Sequence, residues 1–228
     1  MHQESLQRLE KRLGYTFQQP ALLRQAMTHR SNSYKNNERL EFLGDAILGF
    51  VVSDLLYGRY PDVTEGDLGR LRARLVRGES LAEIARALAL GDALLLGAGE
   101  LKSGGFRRAS ILADAMEAVI GAIYLDSDFS RCEAWLRQLF ESLIDALPPV
   151  AQLKDPKTRL QEWLQARKQP LPQYTVLNVE GEGHEQYFTI ECRVSEPALC
   201  REGSGNSRRK AEQAAAAQLI EQLDSKRK

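Results

Sequence analysis

The chain has 228 residues, of which 43% are hydrophobic, and its lysines plus arginines equal its aspartates plus glutamates at 31 each. This composition excludes an intrinsically disordered chain, which would be poorer in apolar residues and richer in net charge. With no overall positive charge, binding to nucleic acid would depend on local clusters of basic residues. The length suffices for one large or two modest domains.

The spacing of the cysteines and the composition of the amino-terminal residues bear on the expected cellular location. Cys132, Cys192 and Cys200 contain no C-x-x-C pair, and an odd number without a disulfide framework predicts reduced thiols. The amino-terminal residues lack the basic and apolar segments of a signal peptide. No segment is apolar over the length that a transmembrane helix requires. We therefore expect a cytoplasmic protein with no membrane partner.

The first part of the chain is predicted to be helical throughout. Leu6, Leu9 and Leu13 form one apolar stripe, and Pro20 is suited to the first turn of a second helix. A third helix, rich in acids, ends near Gly58. These patterns predict an all-α domain.

Further helix starts follow. Thr64 with Asp67 is typical of a helix cap, and the segment from Ser80 to Glu83 matches a capping box. A glycine-rich connector, residues 97–105, leads into an apolar helix over residues 111–125 and then into an amphipathic helix. We therefore extend the all-α domain over residues 1–147.

The pattern changes after residue 147. Pro148 and Pro149 predict a linker over residues 148–154, and Asp155 followed by Pro156 predicts a new helix start. Alternating apolar residues then predict two strands, with a third, shorter strand over residues 198–201 and a last helix from about Ser207. Residues 155–228 are therefore predicted to form a small α+β domain of order α-β-β-β-α.

Two groups of acids lie far apart in the chain. Glu38, Glu41 and Asp45 fall within about a 60° arc of the third predicted helix, opposite its apolar stripe. Asp114 and Glu117 share one face of a helix that is apolar around its whole circumference. A buried carboxylate without a partner is costly, so something cationic must offset Asp114 and Glu117.

Clustered oxygen ligands without cysteine or histidine favour a hard cation. Mg²⁺ is the usual choice because it retains waters and is bound by a few carboxylates together with substrate phosphate, and Mn²⁺ is its expected substitute. The chemistry that this cluster favours is metal-assisted hydrolysis of a phosphoester. For the acids at 38, 41 and 45 taken alone, a solvated polar helix face remains the alternative.

A basic turn in the second domain predicts an anion site. Arg208, Arg209 and Lys210 follow Ser207 in the first turn of the last helix, where the helix dipole disfavours cations unless an anion binds there. A phosphate would satisfy both the backbone amides and these side chains. Solvated surface cations are the alternative.

Two further polar sets belong to the same domain. His184 lies in the loop between the first two strands, and Thr158, Gln161 and Glu162 share an exposed face of the first helix. With the basic turn, they could reach successive grooves of an A-form duplex.

In that order, and with the segment Gly-x-Gly-x-Ser-Arg-Arg-Lys-Ala-Glu that ends at Glu212, residues 155–224 resemble a double-stranded-RNA-binding domain. The resemblance implies that the basic turn, His184 and the face of the first helix bind duplex RNA. Glu212 departs from it, because many stand-alone members of that family carry a basic residue there. The module's affinity for RNA could therefore need help from the first domain.

The first domain resembles ribonuclease III. The segment NERLEFLGD, residues 37–45, is very similar to the signature of that family. Residues 71–76, the Gly-Gly-Phe-Arg stretch at 104–107 and Asp114-x-x-Glu117 recur in the family's order. The double-stranded-RNA-binding domain follows where bacterial members have it, so the resemblance covers nearly the whole chain.

This resemblance implies an endonuclease and dimerisation domain whose acids act on a phosphodiester. The acids expected to hold catalytic Mg²⁺ are Glu41, Asp45, Asp114 and Glu117. The acids expected in the cleavage centre are Asp45, Glu117, Glu38 and Glu65. From the sequence alone, Glu65 is only an acid near a helix start.

Phe42 gives an independent indication of a partner. It lies beside the acids and away from the main apolar stripe, so it requires a second apolar surface to bury it. The resemblance agrees, because the family is homodimeric and this position is similar to an aromatic residue that packs into the partner subunit. A two-fold dimer also matches the local dyads of a duplex, so each subunit could cut one strand.

The expected reaction is hydrolysis of double-stranded RNA to 5′-phosphate and 3′-hydroxyl ends, and the resemblance implies rRNA and mRNA precursors as substrates. A short 3′ overhang is implied by the resemblance. Cleavage through the 2′-hydroxyl typically uses a histidine pair, whereas His2, His29 and His184 lie in unrelated segments.

Two other functions compete with this hypothesis. A non-catalytic RNA-binding regulator would tolerate loss of the acids, yet all six are present. A di-iron carboxylate bundle expects Glu-x-x-His pairs, which do not occur near these acids. The glycine-rich connector contains no G-x-x-x-x-G-K-[ST] nucleotide loop, and we expect no organic cofactor.

Overall fold

The protein is described by a computed structural model over residues 2–149, 155–181 and 186–225. The chain divides into two compact units, Met1–Leu147 and Pro148–Lys228. Most of the predicted linker, residues 150–154, lies outside the described residues, as does His184. The predicted fold class, an all-α domain followed by an α-β-β-β-α domain, is confirmed.

The first unit consists of eight α-helices and two short 3₁₀ turns within its described residues. The helices are α1 (His2–Leu13), α2 (Pro20–Ala26), α3 (Glu38–Arg59), α4 (Glu65–Val76), α5 (Gly78–Ala87), α6 (Ala98–Lys102), α7 (Ala109–Asp126) and α8 (Phe129–Asp145). The 3₁₀ turns span Leu90–Ala93 and Gly105–Arg107. The glycine-rich connector therefore contains a short helix, which the sequence did not predict.

Local chemistry explains one helix start and corrects another. The Thr64 hydroxyl accepts a hydrogen bond from the Asp67 amide at the start of α4, which confirms the predicted cap. The capping box at Ser80 is wrong, because α5 already begins at Gly78. The Ser80 hydroxyl instead donates to the Arg74 carbonyl at 2.8 Å, so it joins the break between α4 and α5.

The central helix of the first unit is α7. Its residues from Ile111 to Ile123 are buried almost without interruption, and it packs against α3, α5 and α2. Such a helix is apolar all round because neighbours cover every face. Asp114 and Glu117 are the half-buried exceptions in this run.

Two glycines bring α3 and α7 into direct backbone contact. A Cβ atom on Gly44 would lie 1.8 Å from the Glu117 carbonyl oxygen, and one on Gly121 would lie 2.3 Å from the Leu40 carbonyl oxygen. No side chain fits at either position, so the helices cross more closely there than ordinary side chains allow. This crossing carries the acids of α3 next to those of α7.

The second unit packs two helices on one face of a three-stranded antiparallel sheet. Its elements are α9 (Pro156–Gln165), β1 (Gln173–Glu180), β2 (Tyr187–Val194), β3 (Leu199–Gly205) and α10 (Arg208–Ser225), with strand order β1-β2-β3. Asp155 caps α9 through the Thr158 amide, and Pro156 occupies its first turn, as predicted. The buried core includes Leu160, Leu164, Cys192 and Leu219.

Two details of the sheet differ from simple alternation. A register shift between Val176 and Asn178 leaves Leu177 without a partner on β2, so the next apolar residue after Val176 in the alternation is Val179. Strand β3 continues beyond its predicted end at residue 201 through Gly203 to Gly205. A Cβ atom on Gly203 would lie 2.1 Å from the Ala215 amide nitrogen, so this glycine is required for packing on α10 rather than for a turn.

Within the described ranges, we find no helix that combines the length and the apolar character needed to cross a bilayer.

Candidate metal centre and RNA-binding surface

Three acids from the two crossing helices meet at one point. One carboxylate oxygen from each of Glu41, Asp114 and Glu117 can be chosen so that all three lie within 4.8 Å of one another. Glu41 is on α3, and the other two are on α7, one helical turn apart. The spacing predicted from sequence therefore becomes a cluster because Gly44 and Gly121 hold the helices together.

A cavity of about 520 Å³ opens beside this cluster. Its lining includes acids, bases and small polar groups: His29, Arg30, Ser31, Asn37, Glu38, Glu41, Glu100, Arg108, Ser110, Ile111 and Asp114. The cavity is thus predominantly polar, unlike a typical site for an organic cofactor.

The acids of the cluster resist ionisation together. Burial, followed by repulsion from Asp45, Glu41 and Asp114, raises the pKa of Glu117 from 4.5 to about 8. Burial and then the charge of Asp114 raise the pKa of Glu41. Burial also raises the pKa of Asp114, against the opposing charges of His29 and Arg30. These shifts show an excess of negative charge that the surrounding protein does not neutralise.

The residues present fit a hard divalent cation. The three converging donors are carboxylate oxygens, with no thiolate or imidazole among them. The nearby cations are already engaged by other acids, since Arg30 lies 3.6 Å from Glu38 and Arg108 lies 2.9 Å from Glu100. A bound cation would supply the positive charge that the pKa values of the cluster require.

The other predicted acids, Asp45, Glu38 and Glu65, are not among the three converging ligands. Asp45 acts on the pKa of Glu117 through its charge but is not one of the three converging ligands. Glu38 lines the same cavity, and its carboxylate accepts a hydrogen bond from Nδ2 of the Asn36 side chain at 3.1 Å. Glu65, by contrast, lies on α4 and lines a separate cavity with Phe50 and Tyr57. Within a single subunit, Glu65 is therefore not part of the acid cluster.

Several cavity residues were not found from the sequence. Asn37 is 2% exposed, and its side-chain nitrogen makes no hydrogen bond with any described residue, although it stands at the start of α3. Glu100, which also lines the cavity, forms an ion pair with Arg108 at 2.9 Å. Asn37 belongs to the signature segment 37–45 but carries no charge that would single it out, and Glu100 lies in the glycine-rich connector, where the sequence gives no signal.

The basic turn predicted to bind RNA is exposed at the start of α10. Arg208, Arg209 and Lys210 all face solvent, and the Ser207 hydroxyl accepts a hydrogen bond from the Lys210 amide at 3.3 Å. On α9, Gln161 and Glu162 are exposed, and the Thr158 hydroxyl donates to Asp155 at 2.9 Å. Both predicted surfaces are therefore accessible to a duplex.

Comparison with known proteins agrees with both domains. Residues 19–143 match the family model described as Ribonuclease-III-like, and residues 156–223 match the double-stranded RNA binding motif. The chain is 60% identical to Ribonuclease 3 from Shewanella loihica over 220 residues, which are 96% of this chain and 97% of the relative. The chain belongs to the ribonuclease III family.

Further relatives support this assignment. Ribonuclease 3 from Vibrio parahaemolyticus is 57% identical over 96% of this chain and 97% of its own length. A solved structure of the nuclease domain of ribonuclease III from Campylobacter jejuni matches with a TM-score of 0.58 and 46% identity. It covers 59% of this chain and 95% of that domain. The protein is thus an endoribonuclease of the ribonuclease III type with a double-stranded-RNA-binding domain.

The raised pKa of Glu117 predicts how the free energy of unfolding of this ribonuclease III changes with pH and with divalent metal. Between pH 4.5 and about 8 the folded chain retains a proton that the unfolded chain releases, so its free energy of unfolding falls as pH rises. Without divalent metal, the melting temperature is expected to be lower at about pH 9 than at about pH 6. Added Mg²⁺ is expected to raise it more at the higher pH, because the acids are then already ionised.

Calorimetry of the chain in chelator and in Mg²⁺ at both pH values measures these shifts. The Glu117→Gln variant is the control, since an amide cannot ionise and most of the pH dependence should disappear. Equal stabilisation by Mg²⁺ at both pH values would contradict the prediction.

Proposed function

We propose that this ribonuclease III hydrolyses double-stranded RNA as a homodimer, with Mg²⁺ held by Glu41, Asp114 and Glu117 and with Asp45 beside it. The observation that carries the proposal is the convergence of three carboxylate oxygens from α3 and α7 within 4.8 Å. Mn²⁺, which shares the preference for oxygen ligands, is the expected substitute. RNA as substrate and free thiols at Cys132, Cys192 and Cys200 support a cytoplasmic location.

The acids of this chain have distinct parts in the proposed reaction. When bound, Mg²⁺ supplies an activated water and offsets charge on the phosphodiester and its leaving 3′ oxygen. Glu41, Asp114 and Glu117 would hold the cation, and its charge would keep Glu117 ionised despite burial. Asp45 contributes further negative charge next to Glu117, and Glu38 faces the same cavity, where Arg30 fixes its carboxylate. Through the cation that they would hold, the acids would allow an anionic phosphodiester to approach a cavity that otherwise repels it.

An exposed aromatic stripe on α3 supports the dimer. Phe42, Phe50 and Tyr57 are 81%, 59% and 75% exposed, and the Phe50 ring contacts the ring of Phe129 at 5.7 Å between centroids. Aromatic rings so exposed on one helix are typical of a surface that a partner covers. The Campylobacter jejuni nuclease domain is likewise described with a region involved in dimer formation.

The dimer also explains the position of Glu65. This acid lines the cavity formed with Phe50 and Tyr57, so it lies on the face proposed to meet the partner. In a two-fold dimer, such a residue can approach the cleavage centre of the other subunit. We infer that Glu65 takes part in cleavage only across the interface.

For Phe42→Ala, a shift from dimer toward monomer is expected because the variant removes the most exposed aromatic ring of the stripe. The expected loss is about 2 kcal/mol or more of dimer free energy, as for a central aromatic anchor. Sedimentation velocity across a dilution series measures the shift. Tyr34→Ala is the control, because Tyr34 is fully exposed on a different surface segment. If Phe42→Ala remained dimeric over the same range of dilution as the wild type, Phe42 would not be part of the interface.

One assay tests the proposed function as a whole. The purified chain is incubated with a long RNA duplex with Mg²⁺, with Mn²⁺ and in chelator, and the ends of the products are analysed. We expect fragments with 5′-phosphate and 3′-hydroxyl ends and a short 3′ overhang only where a divalent ion is present. Binding of the duplex without cleavage in either ion would instead indicate a non-catalytic RNA-binding protein.

A further inference from the structure

The first turns of α9 and α10 are joined by a set of polar contacts centred on two neighbouring residues of α10. The side-chain nitrogen of Gln213 donates to Asp155 at 2.8 Å, and its oxygen accepts from the Lys157 amide at 3.0 Å. Asp155 is also the cap of α9. Gln213 therefore fixes the start of one helix to the side of the other.

Glu212 adds a charged contact to this set. Its carboxylate accepts hydrogen bonds from the Lys157 ammonium and from Nε of Arg208, the latter at 3.1 Å. The Glu212 side chain is only 12% exposed. Burial would raise the pKa of Glu212, but the hydrogen bonds from Lys157 and Arg208 outweigh it and hold the pKa below the ordinary value. The carboxylate is therefore ionised and shared between two cations.

These contacts lie between the two surfaces proposed to meet RNA. Arg208 remains 65% exposed even though Glu212 holds its guanidinium group. On the other side, the Lys157 ammonium lies 4.4 Å from the centre of the Tyr174 ring, and Asp155 orients the Thr158 hydroxyl. A displacement of either helix start would change the distance between the basic turn and the exposed face of α9.

We propose that Glu212 is a positioning residue for duplex binding, which together with Gln213 sets the spacing between the basic turn of α10 and the face of α9. The inference rests on the proposed binding of double-stranded RNA. It explains why an acid stands among the basic residues of this turn. A rigid duplex presents its grooves at a fixed distance, so two surfaces held in register lose less conformational freedom on binding.

A charge argument alone predicts the opposite effect. If Glu212 acted only through its negative charge next to the phosphates, removing that charge would strengthen binding. The positioning role predicts weaker binding, because Arg208 loses its orientation and Lys157 is left without its carboxylate. The sign of the change therefore distinguishes the two roles.

The test measures affinity of the full-length chain for a short RNA duplex, without divalent metal, over a series of salt concentrations. Glu212→Gln is expected to weaken binding about tenfold, and Arg208→Gln by a similar factor. The double variant is expected to lose clearly less than about a hundredfold, because the part of the Glu212 effect that passes through Arg208 disappears once Arg208 is gone. Glu202→Gln, at an exposed acid of β3, is the matched control and is expected to bind at least as tightly as the wild type.

A second variant carries no change of charge. Gln213→Met is expected to weaken binding about threefold with an unaltered dependence on salt, since the number of phosphate contacts stays the same. If a thermal melt shows that Glu212→Gln is not folded, the affinity of Gln213→Met tests the proposal in its place. Binding of Gln213→Met at wild-type strength would then overturn the proposal.

Two other outcomes would overturn it directly. One is a Glu212→Gln chain that binds as tightly as Glu202→Gln, and the other is strictly additive losses for Glu212→Gln and Arg208→Gln. A wild-type chain that bound no duplex would instead disprove the proposed RNA binding, and the inference with it.

Discussion

The Glu117→Gln variant is expected to cut double-stranded RNA on the order of 10³-fold more slowly than the wild type, with duplex affinity changed less than about twofold. Glu117 is the most perturbed acid of the cluster, with a pKa of about 8, and it is half-buried between α3 and α7. An amide of the same shape keeps the packing but supplies no negative charge to a cation. Chemistry is therefore lost while the separate RNA-binding domain is untouched.

Single-turnover cleavage and a binding titration in chelator measure the two quantities separately. Glu83→Gln is the control, because it removes the same charge from an exposed position of α5. The melting temperature of Glu117→Gln in chelator should equal or exceed that of the wild type above pH 8, since a costly buried charge is gone. A variant that lost stability, binding and cleavage together would show that Glu117 serves the fold instead.

Gly44→Ala is expected to destabilise the first domain by about 2–4 kcal/mol and to reduce cleavage by about a hundredfold. The added Cβ atom would lie 1.8 Å from the Glu117 carbonyl oxygen, which belongs to helix backbone and cannot rotate away. The helices must therefore separate, and Glu41 moves away from Asp114 and Glu117. Activity falls even in the molecules that remain folded.

The matched control is Gly58→Ala in the same helix. Apart from its chain neighbours and the backbone of its own helix, no described atom lies within 4 Å of the position that the added methyl group would take, so the change should be neutral or stabilise α3 by about 0.5–1 kcal/mol. Urea denaturation and cleavage at a temperature where both variants are folded provide the measurements. Similar behaviour of the two alanine variants would mean that the crossing of α3 and α7 tolerates a wider spacing.

Much of the fold followed from local patterns in the sequence. The apolar run of α7, the proline at the start of α2 and the Asp155–Pro156 pair each depend on chemistry within a few residues, and the structure confirms them. The predicted capping box at Ser80 is wrong because the Ser80 hydroxyl donates to the Arg74 carbonyl where the chain passes from α4 to α5, so it does not cap a helix. The extent of β3 was missed because Gly203 resembles a turn residue until its contact with α10 is known.

The candidate site was predictable in residue type but not in grouping. Periodicity placed Glu38, Glu41 and Asp45 on one helix edge, yet only Glu41 converges with the acids of α7. That selection depends on the angle and spacing at which two distant helices cross. A role for Glu65 in the cleavage centre could not be derived from a single chain. Its neighbours include the exposed aromatic rings of α3, and the acid cluster is not among them.

The glycine contact between α3 and α7 has a consequence for ion selectivity. Because α3 and α7 touch through their backbones at Gly44 and Gly121, the separation of the backbones that carry Glu41, Asp114 and Glu117 is set by this crossing, and an ion held there would meet carboxylates whose helices cannot spread apart easily. Small ions require ligand distances of about 2.0–2.1 Å, whereas calcium requires about 2.3–2.6 Å and more donors. A larger residue at either position would force the two helices apart, together with the backbones that carry the carboxylates, and would disfavour an ion that requires short ligand distances.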